Sequence, residues 1–324
     1  MGNTKSKLLV VNPRFPLFTA FKEIAPGFWN LRAPFWVAGK TINLGTHMSV
    51  VEIAPNQFVA LDCVPLNSVA AAELNLLTSN GETLIAVLNT HPFHTLAIAK
   101  FHTLYPSNAE RKWYGCPRHL IKCTTDAAGK PINWAGDLND CSVRRKFEPA
   151  LKMSIPDGAE FIDPKPPTRN HLACVLVLHV SSRTVHVDDC MNWIQDMGVI
   201  PRLAIGNKML TFHPSLLYSG LHPTAQAPLQ FKTWAQKVLV DEWEYDTLAT
   251  AHNAILRGNA KQKVIELLAK KDEALRKLSI KNAVAEAEKA ATAQWEGKMP
   301  KQELREISDS ECQDCWSDVE IECG

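Results

Sequence analysis

Four short stretches able to bind a metal punctuate this sequence, each where an apolar run begins or ends: Thr90-His91-Pro92-Phe93-His94, Arg169-Asn170-His171, Val187-Asp188-Asp189 and Ala251-His252. A strand end that delivers one His or Asp at a time is how a β-scaffold collects ligands from distant positions, so this spacing constrains the fold. The runs themselves read as strands. Leu84 to Leu88 leads into His91, Ala173 to Val180 and Arg183 to Val187 form a hairpin pattern around Ser181-Ser182, and Trp243 to Ala251 ends at His252. Helical spacing alternates with them. It is found in Ala97 to Tyr105, which stops at Pro106, and in Cys190 to Met197, Pro214 to Leu221 and Phe231 to Glu242. Arg111 to Cys123 has a strand and turn signature, and Phe161-Ile162, bracketed by proline-containing stretches, reads as a short edge strand.

The order and spacing resemble the metallo-β-lactamase fold family. There a Thr-His-x-His-x-Asp-His loop, a Gly-His-Thr-Pro-Gly-like turn, a strand-terminal Asp and a His after the last strand follow one another. The resemblance covers roughly Phe21 to Gly258. Glu23 to Leu31 looks like the opening strand, and Met48 to Ile53 followed by Gln57 to Asp62 looks like the first hairpin, with Asp62 in the "Leu-Ile-Asp" position. The fold implied is α/β (α+β), a four-layer αβ/βα sandwich over residues 21–258. The first ligand loop departs from the pattern: Phe93, Thr95 and Leu96 stand where the family has its second His and its Asp-His pair. A second metal therefore lacks its usual Asp and His. Pro92 fits the first turn of a helix, so His91 and His94, three apart, are expected to share one helical face.

The ligands implied by the resemblance are His94, His171, Asp189 and His252, with His91 as an alternate, around one zinc or iron ion. Such an ion lowers the pKa of a water to about 7, and Asp189 or Asp188 would orient or deprotonate that water. Neighbouring residues of an extended chain point to opposite sides, so only one of these carboxylates is expected to face the site. Asp189 is preferred, because Asp188 takes the glycine place of the family's Gly-Asp pair. His47, His102, His119, His179, His186, His213 and His222 read as packing or surface residues, with His213 the first to reconsider. Cys312-Gln313-Asp314-Cys315, followed by Cys323, is half of a zinc pattern without a fourth ligand nearby.

A net charge of +1 and a sequence pI near 7.6 give no field that prompts nucleic acid as a partner. Nine cysteines without a disulfide-like rhythm, and no apolar stretch after Met1, point to reduced thiols in the cytoplasm. Met1-Gly2-Asn3-Thr4-Lys5-Ser6 matches the pattern for N-myristoylation at Gly2. One such chain binds membranes only marginally, so partial association with the cytoplasmic leaflet is expected.

Residues 1–20 are read as a flexible arm. Residues 259–305 are a helical extension in which Val264, Leu267, Leu268, Leu275 and Leu278 form one apolar stripe. Without a sustained heptad that stripe is expected to dock on the domain rather than meet a protein partner through residues 261–294. Residues 306–324 carry only acidic charges and read as disordered. Two functions stay open: a membrane-associated, metal-dependent hydrolase of a small ester, thioester, lactone or phosphoester, and a catalytically inactive member of the fold acting as a lipid-anchored interaction module.

Overall fold

In a computed structural model, described for residues 20–37, 42–167, 169–195, 208–252 and 254–295, the central strands are apolar on both sides and so must be covered on both. The first sheet contains β1 (Lys22–Ala25), β2 (Phe28–Ala33), β5 (Thr46–Ala54), β6 (Gln57–Leu61), β7 (Leu84–Asn89), β8 (Lys112–Gly115) and β9 (Trp134–Asp137), hydrogen-bonded in that order. A ribbon of β3 (Trp36–Val37) and β4 (Ile42–Asn43) lies between β2 and β5 in sequence. The sheet is antiparallel up to β6 and parallel from β6 to β9. The second sheet contains β10 (Leu151–Ser154), β11 (Leu176–His179), β12 (Thr184–Val187), β15 (Thr247–Thr250) and β16 (Ile255–Arg257). Within it β12 and β15 are parallel and the other pairs antiparallel.

Alternation along each strand sorts the side chains into layers. Phe28, Val51, Val59, Leu61 and Leu88 of the first sheet meet Leu151, Val177 and Ala249 of the second in one buried cluster. The opposite faces of the same strands, with Val50, Ala60 and Val87, pack against α1 (Ser68–Leu77) and α2 (Ile98–Leu104) through Leu74, Ile98 and Phe101. On the far side, Leu176, Leu178, Val185 and Leu248 pack against a second group of helices. The order helix, sheet, sheet, helix is the four-layer αβ/βα sandwich expected from the sequence. Two shorter helices, α3 (Pro117–Lys122) and α4 (Cys141–Arg145), follow β8 and β9.

The outer helices are α5 (Ala227–Trp234), which runs on as a π-helical segment over Ala235–Glu242, and α6 (Ala260–Trp295). Helix α6 buries Val264, Leu267 and Leu275 against Phe231 and Leu239, so the apolar stripe docks on the sandwich. Farther along, Ser279 and Asn282 donate to the carbonyls of Ala225 and Thr224. No described helix is long and apolar enough to cross a membrane. Gly2 and the rest of residues 1–19, like the 306–324 stretch with Cys312, Cys315 and Cys323, lie outside the described residues.

Three local expectations are corrected. The described part of the Cys190 to Met197 pattern, residues 190–195, is not a helix. Met191–Gln195 is β13, paired with β14 (Lys208–Phe212), and a short run with one buried aromatic satisfies either period until a partner strand exists. Pro214 to Leu221 keeps only a 3-10 turn, Pro214–Leu217. The chain closes there as the amides of Ser219 and Gly220 both reach the Ser215 carbonyl, and a Cβ at Gly220 would stand 2.8 Å from Leu172 Cβ. Phe161-Ile162 is not a strand, because the Glu160 carboxylate accepts from the amides of Ile162 and Asp163 and bends the segment.

Candidate metal centre

The parallel pairs β6–β7 and β12–β15 bring their carboxyl ends to one edge of the sandwich, where a mixed sheet leaves a crevice for ligands. Asp62 follows β6 in the left-handed region at φ 59°, which Asp tolerates better than most residues. That turn sets its carboxylate beneath Thr90, whose amide donates to Asp62 Oδ1 at 2.7 Å. The loop after Thr90 is a turn rather than a helix, since the His94 amide donates to the His91 carbonyl and α2 begins only at Ile98. His91 and His94 thus share no helical face, yet the turn brings their rings to 4.3 Å between centroids.

Asp189 gathers the remaining candidates. Its Oδ2 lies 3.1 Å from His171 Nδ1, 3.6 Å from His94 Nε2 and 3.7 Å from His91 Nε2, and its Oδ1 lies 2.8 Å from His252 Nε2. The rings of His213 and Phe93 lie 5.8 Å and 4.8 Å from that of His171, tilted by 37° and 36°. Phe35 stacks on His252, and Arg118 sits over Phe93. All five of His91, His94, His171, Asp189 and His252 are therefore brought together.

Asp188 does not turn away from them. Its Oδ1 is 3.3 Å from His94 Nδ1, and its Oδ2 accepts from Thr90 Oγ1 at 2.7 Å. The alternation that should separate Asp188 from Asp189 holds only inside a strand; β12 ends at Val187 and the chain turns, so both carboxylates face inward.

Behind Asp188 is a buried polar cluster that the sequence reading missed. His47 on β5 and His186 on β12 stack at 4.2 Å with rings 7° from parallel, and neither is a packing or surface residue in the sense expected. His186 Nε2 lies 2.9 Å from Asp62 Oδ2 and its Nδ1 3.0 Å from Ser49 Oγ; His47 Nε2 lies 3.3 Å from Asp188 Oδ1. One signal was available. His186 and Asp188 are two apart, so a strand through Val187 puts them on one face.

Burial sets the electrostatics. It pushes His91 down to about 3 and His47 well below its usual value, His94 and His186 respectively adding to the effect. Burial also raises Asp62 to about 6, helped by the neighbouring Asp188 charge. For Asp189 burial acts upward but is overcome, first by the charge of His252, so the carboxyl is held well below its usual range. Asp188 is held down likewise, chiefly by His94. Burial opposes charge on His94 and His252 too, yet Asp188 raises the first and Asp189 the second.

Part of the donor set lies close enough to share a divalent ion: ligand atoms of His91, His94 and Asp189 stand within 4.8 Å of one another, and His171 Nδ1 is 3.1 Å from Asp189 Oδ2. His171 Nε2 is 3.0 Å from the Pro167 carbonyl, and His252 Nδ1 is 2.5 Å from the Gly45 carbonyl. A neutral ring that gives its one N–H to a carbonyl turns a lone pair toward Asp189, an arrangement only a proton or a cation relieves. Asp189 Oδ1 is buried and has no hydrogen-bond partner, because His252 Nε2, though near, is out of line. His91 fits less well. The Phe93 amide donates to its Nδ1 at 3.2 Å, which leaves the proton on Nε2, the nitrogen that would have to bind.

A second constellation lies elsewhere. His102 Nδ1 is 3.2 Å from Asp126 Oδ2 and His102 Nε2 is 3.0 Å from Ser107 Oγ, the connectivity of a nucleophile, base and orienting carboxylate. The Ser107 amide also donates to Nε2 at 3.1 Å, competing for the lone pair a base would need, and Asp126 Oδ1 closes a turn through the amides of Ala128 and Lys130. His102 is structural, as expected. His119 also packs, stacked on Trp134, and His179 bonds to Ser182 and the Glu52 carbonyl.

No protein-family model matches the sequence, and no curated relative does either. Solved structures similar to the chain include the metallo-β-lactamase FIM-1 from Pseudomonas aeruginosa in its mono-zinc form, at 12% identity over 81% of this chain and 95% of that one, TM-score 0.46. Others are a metallo-β-lactamase from Erythrobacter litoralis, at 14% over 77% and 96%, TM-score 0.47, and TMB-1, at 14% over 78% and 97%, TM-score 0.49. At such identities a likeness bears on fold alone. The four-layer αβ/βα sandwich rests on the strand order and the buried clusters described above.

Proposed function

We propose that the chain is a metal-dependent hydrolase with one divalent ion, zinc or iron, held by His94, His171, Asp189 and His252, with His91 as the alternate ligand. The observation that carries this reading is the pair of imidazoles, His171 and His252, each tied to a carbonyl through one nitrogen while the other faces Asp189. The ion would supply Lewis-acid activation of water and of a scissile carbonyl or phosphoryl group.

The chain's own groups divide the remaining work. The Pro167 and Gly45 carbonyls orient two ligand rings, as outer partners of metal-bound histidines do. Asp189 Oδ1, without a hydrogen-bond partner, is the atom that accepts the proton of an attacking water. Asp188 is fully buried and its Oδ2 is committed to Thr90, so the base role falls to Asp189, which retains slight exposure. Phe93 and His213 beside His171, and Phe35 stacked on His252, cover part of the ligand rings. The substrate class remains that of small esters, thioesters, lactones or phosphoesters. A panel of these, assayed with apo and zinc-loaded protein, should reveal at least one turnover that needs metal and is lost in Asp189→Asn. Turnover indifferent to chelation, or none across the panel, would favour the catalytically inactive reading.

We further propose that Gly2 is myristoylated and holds part of the protein at the cytoplasmic leaflet. The support is the sequence pattern Met1-Gly2-Asn3-Thr4-Lys5-Ser6. Mass spectrometry of protein made beside an N-myristoyltransferase should find the acyl group on Gly2, and unmodified Gly2 would contradict it.

A further inference from the structure

The proposed ion accounts for His171, Asp189 and His252, but not for a second buried carboxylate, Asp188, with two stacked histidines behind it. Asp188, Asp62, His47 and His186 are each 3% exposed or less, and isolated charges are not kept in such surroundings without partners. The partners form a chain. Asp188 Oδ2 meets Thr90 Oγ1 at 2.7 Å, Thr90 Oγ1 meets Asp62 Oδ2 at 2.6 Å, and Asp62 Oδ2 meets His186 Nε2 at 2.9 Å. His186 Nδ1 then meets Ser49 Oγ at 3.0 Å, Ser49 Oγ meets Asn30 Nδ2 at 3.0 Å, and Asn30 Nδ2 meets His47 Nδ1 at 3.2 Å. His47 Nε2 comes back to 3.3 Å from Asp188 Oδ1, out of hydrogen-bond line, so that both buried atoms lack a hydrogen-bond partner and face each other.

Ligand atoms of His47, His186 and Asp188 lie within 4.8 Å of one another, but the two rings are not turned to share an ion. Both nitrogens of His186 are engaged, and parallel rings 4.2 Å apart aim their lone pairs along parallel lines rather than at one point. The protons run a different way. The Asn30 amide nitrogen reaches His47 Nδ1, the Met48 carbonyl and Ser49 Oγ with two hydrogens; a hydrogen given to His47 Nδ1 puts the ring's own proton on Nε2, 3.3 Å from Asp188 Oδ1. That same oxygen is 3.3 Å from His94 Nδ1, and His94 Nε2 faces Asp189 across the proposed ion site. Carboxylate, imidazole and metal in line is the arrangement by which an outer acceptor fixes the tautomer of a ligand histidine.

We infer that His47 is a positioning residue for the metal centre, holding Asp188 so that His94 keeps its proton on Nδ1 and turns Nε2 to the ion. The inference rests on the metal reading above. Asp62, Thr90 and His186 hold the other side of Asp188, and the His47–His186 stack joins the two arms.

Zinc affinity, measured by competition with a chromophoric chelator, tests it in wild type, His47→Leu and His47→Gln, each shown to be folded in the apo form. Glutamine keeps a donor where Nε2 stood and leucine does not. His47→Leu should bind zinc about 10 to 100-fold more weakly, the usual effect of losing an outer-shell partner, while His47→Gln should stay within about threefold of wild type. Equal affinity in all three, or equal weakening in both variants, overturns the inference and leaves the metal reading standing. A wild-type protein that binds no zinc removes both. Should His47→Leu not fold, long-range proton–nitrogen correlation on zinc-loaded wild type decides: His94 must show a protonated Nδ1 and a metal-shifted Nε2, and the reverse contradicts.

Discussion

Arg32 on β2 donates from Nη1 to the carbonyl of Thr250 at 2.9 Å and from Nη2 to that of Ala251 at 3.0 Å, so a residue of the first sheet holds the strand end of the second from which His252 leaves. Burial pulls this guanidinium down to about 10, still charged at neutral pH. Arg32→Met would remove the charge but leave two buried carbonyls unpaired, at about 1–3 kcal/mol each. Chemical denaturation should show that loss, together with weaker zinc binding because His252 is no longer fixed. An unchanged midpoint and affinity would mean that the strand end is held by other contacts.

Metal binding should depend on pH in a definite direction. His94 and His252 are raised by Asp188 and Asp189, which favours their protonated forms in the metal-free protein, whereas a ligand nitrogen must not carry a proton. Lowering the pH stabilises the protonated, metal-free form, and affinity falls by up to about tenfold per unit for each proton displaced. Calorimetry in two buffers of different ionisation enthalpy should show proton release on zinc binding. Proton uptake, or none, would contradict the assignment of these two rings as ligands.

Helix α6 should be part of the folded unit. Leu275 is fully buried among the residues under the outer helices, and Leu275→Ala is expected to cost about 2–5 kcal/mol. Urea unfolding measures it directly. A loss below about 0.5 kcal/mol, the range of ordinary surface changes, would show that the helix does not stabilise the sandwich.

The layers were legible because strand period is local. Val50 against Val51, or Val59 against Ala60, already sorts one side chain to each face, and the ligand stretches mark where strands stop. His171, Asp189 and His252, singled out through the family resemblance, are brought together by the fold. What failed needed a partner or a bend. Met191–Gln195 became a strand only because β14 lies beside it, and Asp188 joined Asp189 only because the chain turns after Val187. His47 and His186 were passed over because nothing local distinguishes a histidine on an apolar strand that meets a carboxylate from one that meets packing. Only the meeting of β5 and β12 across the two sheets, Ser49 Oγ to His186 Nδ1, reveals the difference.

The most direct measurement is the metal content of the purified protein, by elemental analysis, in wild type and in a folded His171→Ala, His252→Ala variant. Both rings face Asp189 and both are held by carbonyls, so removing them leaves the carboxylate and His94 without enough ligands for a stable site. The expected result is close to one zinc or iron per wild-type chain and almost none in the variant. Equal, substoichiometric metal in the two proteins would contradict a metal centre at this edge of the sandwich.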